Sequence, residues 1–303
     1  MAHDAERCLP ALRMSAPRAT IVAVQIPTDT VLDREGPLLV HNFPGVVLRM
    51  QKLEFSSEAI TEETFEAAAQ QIRKAAETLL PHDFHSIGLS CTSMSFVLGP
   101  ERVDAQLGPV CPKAAVTDMS RAQVAALRAV GATSLTLVTP YIREVARKNV
   151  EMLEKAGFRV VSHATMGLTH DAQTDKVSKE SIKAWAAAID SEEADVIVIG
   201  CSALRACEPG FIDDLESSFR KPVVTSTQAF LWSLLRLAGI DDKISGYGAL
   251  TLASSPFSKR SPNTPGQASA GQASEEGDEV AAAAAVAATS PLPSQGMAVG
   301  DLG

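Results

Sequence analysis

An internal repeat constrains the fold of this 303-residue chain more than any other feature of its sequence. The first copy runs from "IGLSCTS" to "AAVTDMSRAQVAALRAVG", and the second runs from "IVIGCSA" to "PVVTSTQAFLWSLLRLAG". Thr117 follows Cys91 by 26 positions, and Thr225 follows Cys201 by 24. Each copy reads as a strand, a cysteine, a hydroxyl residue, a helix, a short strand and a Leu-rich helix that ends in Gly. The matched order and spacing predict two related structural lobes.

Short apolar runs such as "TIVAVQI", "SLTLVT" and "DVIVIG" alternate along the chain with amphipathic helical patterns. Buried strands that alternate with helices are typical of a mainly parallel sheet covered on both faces. We therefore predict an α/β fold with two pseudo-symmetric Rossmann-like lobes, whose repeats lie around residues 84–131 and 194–239. Because ligands of such sheets bind beyond the carboxyl ends of the strands, we expect the active site in the cleft between the lobes.

The composition changes at both ends of the chain. From about residue 254, Pro, Gly, Ser and Ala dominate and large apolar residues nearly vanish. Such a segment buries too little apolar surface to offset the entropy lost on ordering. We predict a flexible N-terminus over residues 1–18, a two-lobed catalytic unit over 19–253 and a disordered low-complexity tail over 254–303.

Charge, cysteine content and motifs exclude several classes of function. The formal net charge is −9 and no basic stripe is present, so nucleic acid is not expected as a partner. No run of about 18 apolar residues predicts a membrane span. Five cysteines without a secretory signal favour free thiols in a reducing, cytoplasmic setting. The chain has no GxGxxG, no P-loop and no His/Asp/Glu metal cluster, which favours a reaction without a cofactor or a metal.

Cys91 and Cys201 each follow a predicted strand and precede small hydroxyl residues. A thiol at the start of a helix lies near backbone N–H groups, which are expected to lower its pKa. Thr92, Ser93 and Ser202 add hydroxyl donors that suit a carboxylate or an oxyanion. Two thiols facing one carbon could exchange a proton across it, or one could add to a double bond while the other handles a proton. A single cysteine here would be interpreted as packing, but the repeat favours a functional pair.

Other residues lie at predicted strand ends on the same side. Tyr141 follows the strand "SLTLVT", where a phenol could donate to a carboxylate. Residues 27–30, "PTDT", follow the first strand and would line a loop over the cleft. His170 or Asp171 could lie in another loop, and His170, a lone histidine in a polar loop, is interpreted as mainly solvated. The remaining cysteines lack this context and are interpreted as structural: Cys8, Cys111 and Cys207.

These motifs resemble the aspartate/glutamate racemase superfamily, and within it the branch of maleate cis-trans isomerases, arylmalonate decarboxylases and ectoine-utilisation proteins. The resemblance rests on "SCTS", "VTDMSRAQVAALRAVG", "LVTPYIREV", "IGCSALRA" and "PVVTSTQAFLWSLLRLAG", and it covers about residues 20–250. It implies two pseudo-symmetric α/β lobes with the active site between them, cofactor-independent chemistry on a small carboxylate, and a homo-oligomer.

The resemblance also implies site residues. Cys91 and Cys201 match the two catalytic cysteines of the family. The positions that match its substrate-holding residues are Pro27, Thr30, Thr92, Ser93, Tyr141 and Ser202. Maleate isomerases usually carry Asn within a Pro-Ser-x-Asn pattern in the first loop, and "PTDT" lacks it; the loop near Asp171 lacks the family's second Asn. Arylmalonate decarboxylases keep only the second-lobe cysteine and have Gly at the first, so Cys91 argues against that reaction.

We therefore expect a cofactor-independent two-cysteine isomerase or racemase that acts on a small carboxylate or dicarboxylate, as maleate isomerase does, through an enediolate or a thiol adduct. One alternative is a lyase that performs β-elimination on a sulfonio-propionate, since an algal dimethylsulfoniopropionate lyase branch also uses a two-cysteine site. Two further alternatives are an arylmalonate-type decarboxylase and a carboxylate-binding protein without turnover.

Overall fold

The computed structural model describes residues 15–54, 62–79 and 83–257. Its eight strands are β1 (Ala19–Gln25), β2 (Val46–Lys52), β3 (Ser86–Leu89), β4 (Ala115–Asp118), β5 (Ser134–Thr139), β6 (Arg159–Thr165), β7 (Val196–Ile199) and β8 (Val223–Thr225). The predicted disordered tail lies outside the described residues from residue 258 onward, and so do residues 1–14 of the predicted flexible N-terminus.

Helices connect these strands within the described ranges. They are α1 (Leu32–Val40), α2 (Glu62–Glu77), α3 (Thr92–Leu98), α4 (Pro100–Leu107), α5 (Met119–Ala129), α6 (Arg143–Lys155), α7 (Asp171–Thr174), α8 (Lys179–Ile189), α9 (Phe211–Phe219) and α10 (Ser226–Leu237), followed by a 3-10 helix (Ala249–Leu252).

The strands form two four-stranded sheets with the same connectivity. The first sheet has the order β2-β1-β3-β4 and the second has the order β6-β5-β7-β8, and every pairing is parallel. The two orders are the same once four is added to each strand number of the first sheet. This correspondence is the pseudo-symmetry that the repeat predicts. The predicted α/β class with two related lobes is confirmed.

The two copies of the repeat differ in detail. Leu89 pairs with Asp118 in the first sheet, and Ile199 pairs with Thr225 in the second, so the register matches Thr225 with Asp118 rather than with Thr117. Both matched residues cap the following helix, because each side chain accepts a backbone N–H three residues later. The expected helix directly after the cysteine forms only in the first copy. Residues 202–210 form turns, bends and irregular backbone, and α9 begins at Phe211.

Helices α5 and α10 join the two lobes. They pack against each other, and α10 also contacts β1 and β3 of the first sheet, while α5 contacts β8 of the second. Every residue of α10 from Ser226 to Arg236 is buried. The Ser86 hydroxyl of β3 donates to the Leu234 carbonyl of α10 over 2.8 Å. A Cβ atom on Gly88 would lie 2.7 Å from Phe230 Cε2, so glycine allows this close approach.

No helix among the described residues is long and apolar enough to cross a membrane. The four described cysteines are free thiols, and all four are buried.

Candidate functional site

Cys91 lies at the carboxyl end of β3 and caps the N-terminus of α3. Its backbone is extended (φ −129°, ψ 117°), and its carbonyl accepts the Ser95 N–H over 2.9 Å. The Sγ atom lies 3.6 Å from the Ser93 hydroxyl, and the Met94 N–H also approaches the thiol. Thr92, Ser93 and the thiol itself are buried. The predicted arrangement of a cysteine with hydroxyl and N–H donors at a helix start is therefore present here.

Cys201 occupies the matching end of β7 in the second sheet. Its N–H donates to the Ser226 hydroxyl over 3.0 Å, which ties the strand end to the start of α10. The backbone N–H of Ala203, two residues later in the turn, interacts with the Cys201 thiol. Ser202 is 3% exposed and its hydroxyl lies beside the carboxyl of Asp29. The turn after Cys201 thus supplies donors where the first lobe uses a helix.

Tyr141 brings the two cysteines into one cluster. It follows β5, it is 2% exposed, and its ring packs edge-on against Phe96 with centroids 5.9 Å apart. Burial raises the pKa of the Tyr141 phenol well above its ordinary value, and the charges of Cys201 and Cys91 raise it further. Its hydroxyl faces Cys201 and Thr92 but completes no hydrogen bond of normal geometry. The phenol is therefore a buried donor directed towards the two thiols.

The electrostatics of the thiols differ from the sequence prediction. Burial raises the pKa of Cys91 to about 12 and raises the pKa of Cys201 well above its ordinary value. The charge of Asp171 adds to the rise for both thiols, and N–H donors offset only part of it. The prediction that helix position lowers these pKa values was wrong, because desolvation and nearby carboxylates outweigh the N–H groups.

Two acids that were not among the predicted site residues are buried beside the thiols. Asp29, in the loop after β1, is 1% exposed, and Asp171, at the start of α7, is 6% exposed. Burial raises the pKa of Asp29 to about 6; the Ser202 hydroxyl opposes the rise, and the charge of Asp171 adds to it. Burial also raises the pKa of Asp171, while the Thr28 hydroxyl, which donates to it over 2.6 Å, opposes the rise. No residue-level motif marks these acids, because their proximity depends on how the lobes pack.

The first loop contributes less than predicted. Thr30 is exposed, and its hydroxyl donates to the Asp175 carboxylate over 3.0 Å, so the structure does not bring it into the buried cluster. Pro27 is half-buried, and its carbonyl accepts from Lys52 over 3.5 Å. The residues of this loop that reach the cluster are Asp29 directly and Thr28 through its hydrogen bond to Asp171.

The other two described cysteines belong to the apolar core, and each shares a packing cluster with one cysteine of the pair. Cys111 packs in the apolar core of the first lobe. Cys207 is fully buried, and its N–H donates to the Glu35 carboxyl over 3.1 Å. No group of three or more metal-binding side chains occurs within residues 15–54, 62–79 and 83–257. The chemistry that this arrangement offers is that of two thiols, a phenol, hydroxyl donors and two acids.

Comparison with known proteins places this site in a family. The sequence model of the arylmalonate decarboxylase family matches residues 36–251, which is well over half of the chain. The chain belongs to this family. The resemblance to the aspartate/glutamate racemase superfamily through its maleate isomerase and arylmalonate decarboxylase branch is thereby confirmed.

Relatives of this arylmalonate decarboxylase family member include two kinds of enzyme. The chain is 26% identical over 237 residues to the maleate isomerase of Nocardia farcinica, covering 76% of this chain and 94% of that protein. It is 28% identical over 240 residues to the arylmalonate decarboxylase of Bordetella bronchiseptica, covering 76% and 95%. The relatives therefore match almost over their whole length.

Solved structures show the same fold. A cysteine-to-serine mutant of Nocardia farcinica maleate cis-trans isomerase, with a covalently bound succinylcysteine intermediate, superimposes with a TM-score of 0.71 at 23% identity over 77% of this chain and 98% of that chain. The maleate isomerase Iso of Pseudomonas putida superimposes with a TM-score of 0.70 at 17% identity over the same shares.

Proposed function

We propose that this chain is a cofactor-independent isomerase or racemase in which Cys91 and Cys201 act on a small carboxylic acid. The observation that carries the proposal is the convergence of two thiols, from matching strand ends of the two sheets, on one buried cluster with Tyr141. Membership of a family with isomerase relatives supports the same conclusion.

The maleate-type reaction needs no group beyond those in the cluster. The Cys91 thiol passes its proton to a buried neighbouring carboxylate, Asp171 or Asp29, as its sulfur forms a bond to one alkene carbon, and the π electrons move onto the carboxylate attached to the other carbon as an enediolate. The former double bond is now single and rotates. Collapse of the enediolate expels the thiolate and leaves the trans alkene. The buried hydroxyls of Thr92, Ser93 and Tyr141 lie in the same cluster as the thiols and are the donors that we propose for the charge of the enediolate, although the Thr92 hydroxyl donates to Met119 Sδ here and would turn from it.

Cys201 has a defined part in this scheme. Its thiol can protonate the enediolate carbon, which gives a succinyl adduct, and its thiolate can remove that proton again before elimination. The relative trapped as a succinylcysteine supports a thiol adduct of this kind. In the racemase version, one thiolate removes the α-proton and the other thiol returns a proton from the opposite face. Each version thus gives both cysteines a part in the reaction.

Substitution of each cysteine tests the proposal. We expect Cys91→Ser and Cys201→Ser each to lower turnover about a hundredfold or more, because general acid–base and nucleophilic roles contribute on that scale. The assay is NMR in deuterated water with a panel of small dicarboxylates and amino acids, which reports alkene isomerisation and α-hydrogen exchange separately. The matched control is Cys111→Ser, a buried thiol of the first lobe that packs among apolar side chains. Wild-type rates in both site variants would contradict a two-thiol mechanism.

Arylmalonate-type decarboxylation is a second candidate, favoured by the 28% identical relative. It replaces a carboxyl group by one proton and so needs one proton donor. The same NMR panel, extended to an arylmalonate, separates the candidates: decarboxylation with Cys91→Ser still active would favour this second function. The maleate isomerase and arylmalonate decarboxylase relatives give no support to a β-elimination lyase. The homo-oligomer, the cytoplasmic location and the domain boundaries stay predictions.

A further inference from the structure

The segment that follows Cys201 has no helix of its own to hold the cysteine. In the first lobe α3 begins directly after Cys91, and the Cys91 carbonyl accepts the Ser95 N–H over 2.9 Å and the Ser95 hydroxyl over 2.6 Å. In the second lobe residues 202–210 are not helical, and α9 begins at Phe211. The backbone around Cys201 is therefore held by contacts from elsewhere in the fold.

The start of α10 supplies two of these contacts through neighbouring hydroxyl residues. The Ser226 hydroxyl accepts the Cys201 N–H over 3.0 Å. The Thr227 hydroxyl donates to the Ser202 carbonyl over 3.4 Å. Ser226 and Thr227 are both buried, so water does not compete for these hydrogen bonds. The two residues therefore bind the backbone on both sides of the Cys201 side chain.

Thr225, the residue before Ser226, contacts the far end of the same segment at Cys207. Burial and the charge of Glu35 raise the pKa of the Cys207 thiol, and the Thr225 hydroxyl opposes the rise by donating to the sulfur. The Cys207 N–H donates to the Glu35 carboxyl over 3.1 Å. The segment from Cys201 to Cys207 is therefore fixed at both ends, and residues 225–227 take part at each end.

The backbone of Cys201 has a conformation that needs such support. Its φ is 157°, and Arg220 is the other described non-glycine residue with a positive φ. Cys91, at the matching strand end, has a φ of −129°. A side chain with a Cβ atom rarely adopts a positive φ, and the conformation persists where the surrounding structure fixes it. The Ser226 hydroxyl binds the N–H at one end of the N–Cα bond about which this angle is measured, so it restricts that rotation.

Resting on the proposed function, we propose that Ser226 is a positioning residue for Cys201. The Tyr141 hydroxyl faces the Cys201 thiol, and a change in the φ of Cys201 would move the sulfur away from this place. By holding the N–H, Ser226 keeps the thiol where it can exchange a proton with a bound acid. Ser226 acts through Cys201 and needs no contact with the substrate. Misplacement of a reacting group by about 1 Å can lower a rate about a hundredfold, so this hydrogen bond affects turnover.

Amide hydrogen exchange on the full chain, read by NMR, tests the structural step without turnover. Ser226→Ala removes the acceptor and should speed exchange of the Cys201 N–H about tenfold, whereas the preceding Gly200 N–H, which donates to the Val138 carbonyl within the sheet, should keep its rate. The matched control is Ser233→Ala, the same change at a buried hydroxyl of α10 that has no hydrogen-bond partner. Thr227→Val, which keeps the side-chain shape, is a second variant and should speed Cys201 exchange about threefold.

Kinetics in the NMR assay connect the hydrogen bond to the reaction. Ser226→Ala should lower kcat about tenfold or more and change KM by less than about threefold, because Ser226 acts on the thiol and not on the substrate. Added to Cys201→Ser, the same change should lower the rate by less than about twofold, since the thiol that Ser226 positions is already gone. Unchanged Cys201 exchange, unchanged kcat, or equal losses with and without the Cys201 thiol would overturn the proposal. Wild-type rates in the cysteine variants would instead contradict the two-thiol function, so the two failures are distinguishable.

Discussion

Glu35 is a buried acid whose ionisation should control stability through pH. It lies on α1, it is 2% exposed, Oε1 accepts the Cys207 N–H over 3.1 Å, and Oε2 has no partner. Burial raises its pKa from 4.5 to about 8; Glu208 and Asp29 also raise it, while the Cys207 N–H and Arg34 lower it. We expect Glu35→Gln, which is isosteric with the protonated acid, to stabilise the protein at neutral and alkaline pH.

The sign and the size of the effect follow from the difference in Glu35 protonation between the folded protein and the unfolded chain. In the folded protein Glu35 keeps its proton between pH 4.5 and pH 8, whereas the unfolded chain has lost it, so stability falls as pH rises through this window. The pKa difference lowers the free energy of unfolding by about 5 kcal/mol above pH 8, by about 3 kcal/mol at pH 7 and by less than about 1 kcal/mol at pH 5. Replacement by Gln should recover free energy of unfolding in these proportions.

Urea unfolding at pH 5, 7 and 8.5 measures the effect as a shift in the urea concentration at the unfolding midpoint. The slope of the free energy of unfolding against urea concentration should stay constant. The control is Glu154→Gln, the same substitution at an exposed acid on α6. The reasoning would be refuted if Glu35→Gln changed the free energy of unfolding by the same amount at all three pH values. A constant effect would mean that packing or hydrogen bonding, rather than ionisation, separates the two side chains.

Two further substitutions test other parts of the structure. Gly88→Ala should destabilise the protein by about 1–3 kcal/mol in urea, because the new Cβ would lie 2.7 Å from Phe230 Cε2 and 2.9 Å from Thr117 Cγ2; an unchanged midpoint would contradict the packing of β3 on α10. Asp29→Asn should stabilise the ligand-free protein by about 2–3 kcal/mol at pH 7 and by almost nothing below pH 4, because burial raises the acid's pKa from 3.8 to about 6. Destabilisation at pH 7 would show that the carboxylate is satisfied in a way that the contacts above do not include.

Much of the fold could be predicted because strand and helix signals are local. The buried strands are continuous apolar runs, and the repeat predicts their shared order. Strand β2 was not predicted, since it is an edge strand with mixed polarity in which every residue is partly or fully exposed. The turn after Cys201 was missed because "CSALRAC" contains no strong helix breaker. Both errors concern segments in which tertiary contacts outweigh the local sequence signal.

The candidate site could be predicted only in part. Cys91, Cys201 and Tyr141 could be chosen as candidates because each follows a buried strand, and strand ends of parallel sheets meet at one edge. Asp29 and Asp171 were missed as a pair because they lie 142 positions apart in two loops that only the packing of the lobes brings together. The raised pKa values of the thiols were missed for the same reason, since desolvation depends on what surrounds a group in space.

The buried acids make the stability of this protein depend on pH. Asp29, Asp171 and Glu35 are all desolvated, and the described residues offer none of them a salt bridge. Each of these acids therefore lowers the free energy of unfolding at neutral pH. The charge of Asp29 also acts on Glu35, so ionisation of one acid makes ionisation of the other less favourable. Asp171→Asn should consequently raise the melting temperature more at pH 8 than at pH 5, because only the ionised carboxylate is costly to bury. The opposite order would show that a partner stabilises the Asp171 carboxylate.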